Sequence, residues 1–394
     1  MTAAIIIFWV AFGVMAHLYL AYPLFLAVLA RIIRRCPRGD PDYRPTCTVF
    51  IPCHNEADNI RAKIDNILAL DYPAEKLEVL VADDGSGDGT AEVARSYLEE
   101  KGLLEPKPGF PRFRLEAFPE NRGKTHVMND LSPTCWGEII IYSDANVRLE
   151  RDSLKGFAEL FADPEVGCVG GDLVQRPPEG EETGIAFGNS FLRRFEDRVK
   201  VWEGQIKTCL FVQGGHMALR RELYRPSPPE VSPDMLLTVA AWAQGRRTLE
   251  NPKVKGWEYT QTRLENEFKR DVRLTVLRMS VFRYIPRVLP RRGHFFYHLH
   301  VFLRKKLREA TPFAVLAMLG AGIAAAFAGG FYLWLALAQA LFYLLVLVGW
   351  IGRNRLPGII CAPFFAVNLF AAQLVGVLRY LTGRRAVTWK PRGD

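Results

Sequence analysis

Two stretches of the chain are apolar without interruption by charge, and a third carries only Arg379 near its end. Ala3 to Ala30 contains no ionisable Asp, Glu, Lys or Arg, and Arg31, Arg34, Arg35 and Arg38 follow at once. A helix needs about 20 apolar residues to cross a hydrocarbon core, so this stretch is predicted to span a bilayer. It has no basic leading region and no small-residue cleavage site, and reads as a retained anchor over residues 1–33. Thr311 to Ile351 is equally free of charge and holds about two spans, with Gly329-Gly330 as the hairpin point. Leu356 to Leu381 contains Pro357, Pro363 and Asn368. Two paths stay open for it: a full crossing, or a bent, re-entrant or interfacial course.

Between these blocks, from Thr46 to about Tyr259, short β-branched runs alternate with amphipathic stretches. Thr48 to Pro52, Leu77 to Ala82, Phe113 to Phe118 and Glu138 to Tyr142 read as strands. Ala57 to Leu70 reads as a helix with Ile60, Ile64, Ile67 and Leu68 on one face, and Thr90 to Leu98 as the next. Strands separated by crossover helices predict an α/β fold with a mostly parallel sheet and helices on both faces. Ligands in such sheets sit beyond the carboxyl ends of the strands, where the strand order switches. Gly188 to Trp202 reads as a mixed-charge amphipathic helix.

Charge sharpens this division. The chain carries 51 Lys plus Arg against 42 Asp plus Glu. The excess is uneven: +4 over residues 1–39, −10 over 40–262, +9 over 263–310 and +6 over 311–394. Basic residues beside apolar runs mark the cytosolic face of a membrane, so the net charge does not indicate a nucleic-acid partner. The 13 basic side chains of residues 263–310, mixed with Phe, Tyr, Leu and Val, suit amphipathic helices in the headgroup plane. Seven cysteines form no Cys-x-x-Cys pair, and a reduced cytosolic domain with buried thiols is expected.

Candidate chemistry lies in Ile51-Pro52-Cys53-His54-Asn55-Glu56, Val81-Ala82-Asp83-Asp84-Gly85-Ser86, Asn121-Arg122-Gly123-Lys124 and Ser143-Asp144-Ala145-Asn146. In order and spacing, and on through Gln213-Gly214-Gly215-His216 and Ser232-Pro233-Asp234, these segments resemble the inverting family 2 glycosyltransferases. The tail Gly383-Arg384-Arg385-Ala386-Val387-Thr388-Trp389 is similar to membrane-integrated members related to cellulose and poly-N-acetylglucosamine synthases and to ceramide glucosyltransferase-like enzymes. The resemblance covers roughly residues 46–281 and implies a GT-A nucleotide-sugar-binding domain over 44–262. Interface helices over 263–310, membrane segments over 311–382 and a basic tail over 383–394 would complete the chain.

The resemblance implies that Pro52, Asn55, Glu56, Asp83 and Asp84 bind the nucleoside, a strand-end carboxylate accepting from a uracil N–H or a ribose hydroxyl. The run from Asp84 to Gly89 also imitates an EF-hand loop, but its twelfth position is Arg95 rather than Glu. Asp144 and Asn146 occupy the family's Asp-x-Asp metal position, with a neutral amide in place of the second acid; an Asx-type turn is the alternative. Lys124, opening a helix after Gly123, suits a diphosphate. Asp234 is the candidate general base, although Ser232 as N-cap, Pro233 in the first turn and an acid near the helix dipole form an ordinary helix start. Gly214, Gly215 and His216 fall at the acceptor position. Arg270 and Arg273 stand where processive relatives carry an Arg-x-x-Arg-Trp-like motif, with Leu274 in place of the aromatic platform. His294, His298 and His300 read as interface histidines rather than a metal box.

The expected protein is an inverting glycosyltransferase of the cell (inner) membrane, multi-pass, with its catalytic domain in the cytosol. It would use a UDP-sugar and Mg²⁺ or Mn²⁺, and would act on a membrane lipid or lipid-linked hydroxyl. A processive polysaccharide synthase is the rival within enzymes, and a non-catalytic nucleotide-binding scaffold the rival outside them.

Overall fold

The computed structural model describes residues 1–176, 184–259, 264–290, 292–353 and 356–383. Arg291, Arg355 and the tail from Arg384, including Arg385, Lys390 and Arg392, lie outside them. The chain opens with α1 (Thr2–Ile33). The α/β domain then runs β1 (Cys47–Cys53), α2 (Ala57–Leu68), β2 (Leu77–Asp84), α3 (Thr90–Glu100), β3 (Arg112–Phe118), α4 (Lys124–Leu131), β4 (Ile139–Ser143), β5 (Arg148–Leu149) and α5 (Ser153–Phe161). It continues with β6 (Val166–Arg176), α6 (Gly184–Ile206), β7 (His216–Arg220), α7 (Pro233–Ala243), β8 (Arg247–Tyr259) and α8 (Leu264–Val288). Three more helices follow: α9 (Phe295–Ala326, with π and 3-10 turns inside it), α10 (Gly330–Gly352) and α11 (Gly358–Leu381).

The eight strands form one sheet in the order β3-β2-β1-β4-β7-β6-β8-β5. The four β-branched runs read from the sequence are its parallel half: β1 pairs in parallel with β2 and β4, and β2 with β3. The expectation of a mostly parallel sheet holds, since β6 also pairs in parallel with β8, and the antiparallel pairings are confined to the sheet beyond β4. β7 runs antiparallel to both β4 and β6, and β5 is antiparallel to β8, so the sheet is mixed. The order reverses at β1, the switch point at which a crevice opens. Pairing of β1 with β4 ends at Phe50, and Pro52 has no N–H to add to a ladder. The two strand ends are therefore free to part around a ligand.

Burial follows the periodicities. β1 and β2 are buried along their whole length, as central strands covered on both faces are. On α2 the buried face is Ile60, Lys63, Ile64 and Ile67, so a lysine shares the apolar stripe. One core lies on that side of the sheet, and a second, built on Phe50, Leu80, Ile140 and Tyr142, lies under α4 and α7.

Among the described residues, four helices are long and apolar enough to cross a membrane: α1, α9, α10 and α11. Many of their large apolar side chains stay outward, among them Phe331, Trp334 and Ile351. Gln339 on α10 donates to the Met318 carbonyl on α9 across the hairpin. The boundary expected at residue 310 is a change of hydropathy, not of backbone, because α9 runs through it as one helix. Two of the basic side chains before it depart from the expected interface contact. Arg304 and Lys305 are buried against α6, where Glu196 and Glu203 meet them, rather than turned to headgroups.

Candidate active site

A hollow of about 540 Å³ opens at the carboxyl ends of β1 and β4 and is closed by α6, α7, α8 and the start of α9. Of the residues expected to carry chemistry, Glu56, Lys124, Asp144, Asn146, Gly214, Gly215, Asp234, Arg270 and Arg273 line it. Pro52, Asn55, Asp83, Asp84 and His216 do not.

The chain past β4 alternates: Ala145 and Val147 are buried, while Asp144 and Asn146 are half-exposed toward the hollow. Asp144 Oδ1 meets the Lys124 ammonium at 2.6 Å. Asn146 donates to Glu258 Oε2 at 3.3 Å. Two hard oxygen donors on this short loop suit a divalent ion that draws its other ligands from a phosphate or water, as Mg²⁺ does. No cluster of three or more His, Cys, Asp or Glu fit for a metal occurs among the described residues, so a protein-only cage is absent there.

Asp234 sits in the first turn of α7, after Ser232 and Pro233. Ser232 is the N-cap residue, but its hydroxyl donates to the Asp234 carboxylate instead of accepting from the helix N–H groups. The approach of Gly214 and Gly215 is close. A Cβ on Gly214 would lie 2.5 Å from the Asp234 carboxylate, and one on Gly215 would lie 2.7 Å from Asp144 Oδ2. The glycine pair is a thin partition between two acids.

Asp84 is corrected from ligand binder to scaffold. It is fully buried, and its oxygens accept from the Arg122 N–H at 2.9 Å and the Gly123 N–H at 2.7 Å, which fixes the turn that presents Lys124. Asp83 is buried as well and accepts from the Ser86 N–H and hydroxyl. His54 completes the bracing: its Nδ1 donates to the Asp84 carbonyl, leaving Nε2 to accept from the Asn121 amide. Asn55 takes φ 54°, a left-handed conformation that Asn tolerates, and its side chain accepts from the Gly87 N–H. Glu56 faces the hollow while accepting from Asn59.

His216 is corrected as an acceptor ligand. It is wholly buried on β7 beside Gly171, Gly256 and Phe157, with Nε2 on the Val254 carbonyl. Burial pushes its pKa down to about 3, so it stays neutral in the core.

Sequence reading missed the wall that α6 supplies. Arg193, Glu196, Asp197 and Lys200 line the hollow. Lys200 bridges Asp197 at 2.6 Å and Glu250 at 3.2 Å. Burial would raise the Glu196 pKa, but Arg308, Lys305 and Arg304 outweigh it and hold the carboxyl well below the usual range. Of the interface histidines, His300 meets Glu203 at 3.1 Å and His298 sits on the Leu289 carbonyl, so both are internal contacts. The i, i+3 spacing of Asp197 and Lys200 was a legible helix-face signal; the partnership with residues a hundred positions away had none.

Residues 48–225 match the glycosyl transferase family 2 description. A mannosyltransferase from Pyrobaculum calidifontis, solved in complex with GDP-Man and Mn²⁺, aligns with 96% of this chain and 100% of its own, at 26% identity and a TM-score of 0.69. The poly-beta-1,6-N-acetyl-D-glucosamine synthase of Staphylococcus aureus (strain MSSA476) is 29% identical over 168 residues, 39% of this chain and 38% of that one. An N-acetylglucosaminyltransferase of Rhizobium sp. (strain N33) is 32% identical over 134 residues, 34% and 28% of the two chains. The match thus spans well under half the length of these curated relatives.

Proposed function

We propose, for a chain that belongs through residues 48–225 to glycosyl transferase family 2, that it moves a sugar from a nucleoside-diphosphate donor to a hydroxyl on a membrane-borne acceptor. The observation that carries this reading is the single hollow in which Asp144 and Asp234 flank Gly214 and Gly215, with Lys124, Arg270 and Arg273 around them. In it, Lys124 and the two arginines hold the diphosphate, whose departing charge Arg273 neutralises without titrating. Asp144 and Asn146 would hold a divalent metal, which when bound supplies charge neutralisation at the leaving diphosphate. Asp234 takes the proton of the acceptor hydroxyl as its oxygen attacks the anomeric carbon from the face opposite the diphosphate, inverting that centre. Gly214 and Gly215 let the acceptor approach between the acids. Glu56 and His54 border the nucleoside end, and Pro52, Asn55 and Asp83 lie next to them in sequence or sheet but outside the lining.

Membrane delivery is supported by the lining itself, since Lys305 and Arg308 come from α9, a helix apolar enough to span. Arg31 in the last turn of α1 and Arg34, Arg35 and Arg38 after it support a cytosolic position for the domain. The donor base is uracil on the sequence reading, and the Pyrobaculum enzyme holds GDP-Man, so both classes belong in the assay. Membranes are incubated with Mn²⁺ and a panel of UDP- and GDP-sugars, and nucleoside diphosphate release is followed. Release from one donor is expected; release from none would leave a nucleotide-binding scaffold.

A second reading, extension of a growing polysaccharide, is favoured by the likeness to the poly-N-acetylglucosamine synthase. Against it, Leu274 lines the hollow where an aromatic platform would stand, and Phe211, the lining Phe, is buried. Product length separates the two: one added sugar, or a ladder.

A further inference from the structure

Lys63 is the side chain that the mechanism above leaves unused. It lies on the apolar face of α2, wholly buried, and it has no ion pair with a carboxylate among the described residues. Its ammonium donates to Ser143 Oγ and to the Val147 carbonyl, each at 2.6 Å. These two acceptors are the ends of the loop whose outward residues are Asp144 and Asn146. One helical turn on, Asn66 forms a two-way pair with the backbone of Leu149 at 2.8 Å, so the same face of α2 fastens the chain again beyond the loop. Burial and the nearby Arg148 hold the Lys63 pKa well below that of an ordinary lysine, with Asp144 opposing them. An apolar residue at this point of an apolar stripe would be the cheaper choice for stability.

We infer that Lys63 is a positioning residue: clamping both ends of the 143–147 loop, it sets the spacing of Asp144 and Asn146 and so tunes the affinity of this site for a divalent cation with a nucleoside diphosphate. The inference rests on the proposed function and names a residue outside the hollow that governs it. A two-point clamp acts on separation: if either end slackens, Ala145 and Val147 can shift in the core and the outward pair loses its common aim. Lys124 restrains Asp144 from one side only and cannot replace that hold.

The test is binding of Mn²⁺ with GDP or UDP to the full chain in detergent, read from the free Mn²⁺ electron paramagnetic resonance signal, beside thermal unfolding. Lys63→Met is expected to raise the Mn²⁺ dissociation constant at least tenfold in folded protein. Ser143→Ala, which removes one hold and spares the other, is expected to raise it about threefold, between wild type and Lys63→Met. A purely structural lysine would lower the unfolding temperature and leave the dissociation constant alone. Values within twofold of wild type for Lys63→Met overturn the inference, and the same result for Ser143→Ala does so should Lys63→Met not fold. Wild type that binds no Mn²⁺ with either nucleotide overturns the functional reading instead, so the two failures are told apart.

Discussion

Asp144 and Asp234 face each other across two glycines, each carboxylate within 2.7 Å of where a Cβ would be if Gly215 or Gly214 had one. The acids come from different layers, one at the end of β4 and one in the first turn of α7. The absence of two methyl groups keeps the gap between them open. Gly214→Ala is therefore expected to push Asp234 out of place. Turnover should fall at least tenfold, with about 1–3 kcal/mol of overpacking in thermal unfolding. Initial rates and unfolding curves of the variant check this, and near-normal turnover would show that the gap is not used.

Asp234→Asn keeps the shape of the side chain and its Ser232 contact while removing the base. Turnover should fall by about 10²–10⁴ with donor binding unchanged. Single-turnover kinetics beside donor titration give both numbers. Equal losses in binding and turnover would assign Asp234 to the donor instead.

Chelation tests the Asp144 and Asn146 pair. Excess EDTA is expected to abolish transfer, and added Mn²⁺ or Mg²⁺ to restore it. Asp144→Asn should raise the metal concentration needed for half-maximal rate, because the anionic ligand is lost and the amide at 146 adds little. Full rate in EDTA would leave Lys124 and the arginines as the sole counter-charges.

The parallel half of the sheet was legible because β-branched runs report buried strands directly, and the motifs fell at its carboxyl edge. What was not legible depends on where side chains turn after the strand ends. Asp83 and Asp84 look alike in the text, yet Asp84 spends both oxygens on the Arg122 and Gly123 N–H groups. His216 follows two lining glycines, but the first residue of a new strand points into the core. Lys63 interrupts an isoleucine stripe and reads as its polar edge. The basic run at Arg304 to Arg308 reads as a headgroup contact until α6 brings Glu196 and Glu203 to it.

That last contact sets an acid limit. Burial would raise the Glu203 pKa, but Arg304 and His300 outweigh it and hold the group down at about 2. A depressed carboxyl contributes stability that is fully present above its unfolded pKa of about 4.3 and is lost as pH falls toward the folded value. The protein should therefore lose about 2 kcal/mol between pH 4.5 and 2 through this group alone. Glu203→Gln should flatten that limb of unfolding temperature against pH while lowering stability at neutral pH. A variant with the wild-type acid limb would place the loss elsewhere.

The course of α11 decides where the end of the chain emerges. From the turn at Gly329, about 20 residues lead along α10 to Gly349, and about 20 lead back along α9 to Glu309, close to 30 Å at 1.5 Å per residue and so the thickness of a hydrocarbon core. Near its start α11 touches the first of these points, since a Cβ on Gly349 would lie 3.1 Å from Phe364. Further along, Gln373 donates to the Arg308 carbonyl and to Glu309 Oε2, each at 2.8 Å, and Gly376 packs on Thr275 of α8. With α9 and α10 standing across the bilayer, residues 364 to 376 would keep to one depth, the boundary nearest the α/β domain, where a crossing helix would descend about 18 Å. Composition makes α11 long enough to span, but these contacts predict a course flat beside α8, the interfacial path left open by Pro357, Pro363 and Asn368. An epitope added after Asp394 is expected on the same side as the α/β domain. In sealed vesicles oriented with that domain outward, protease should remove the epitope and digest the domain together. An epitope protected until detergent is added would mean that α11 crosses.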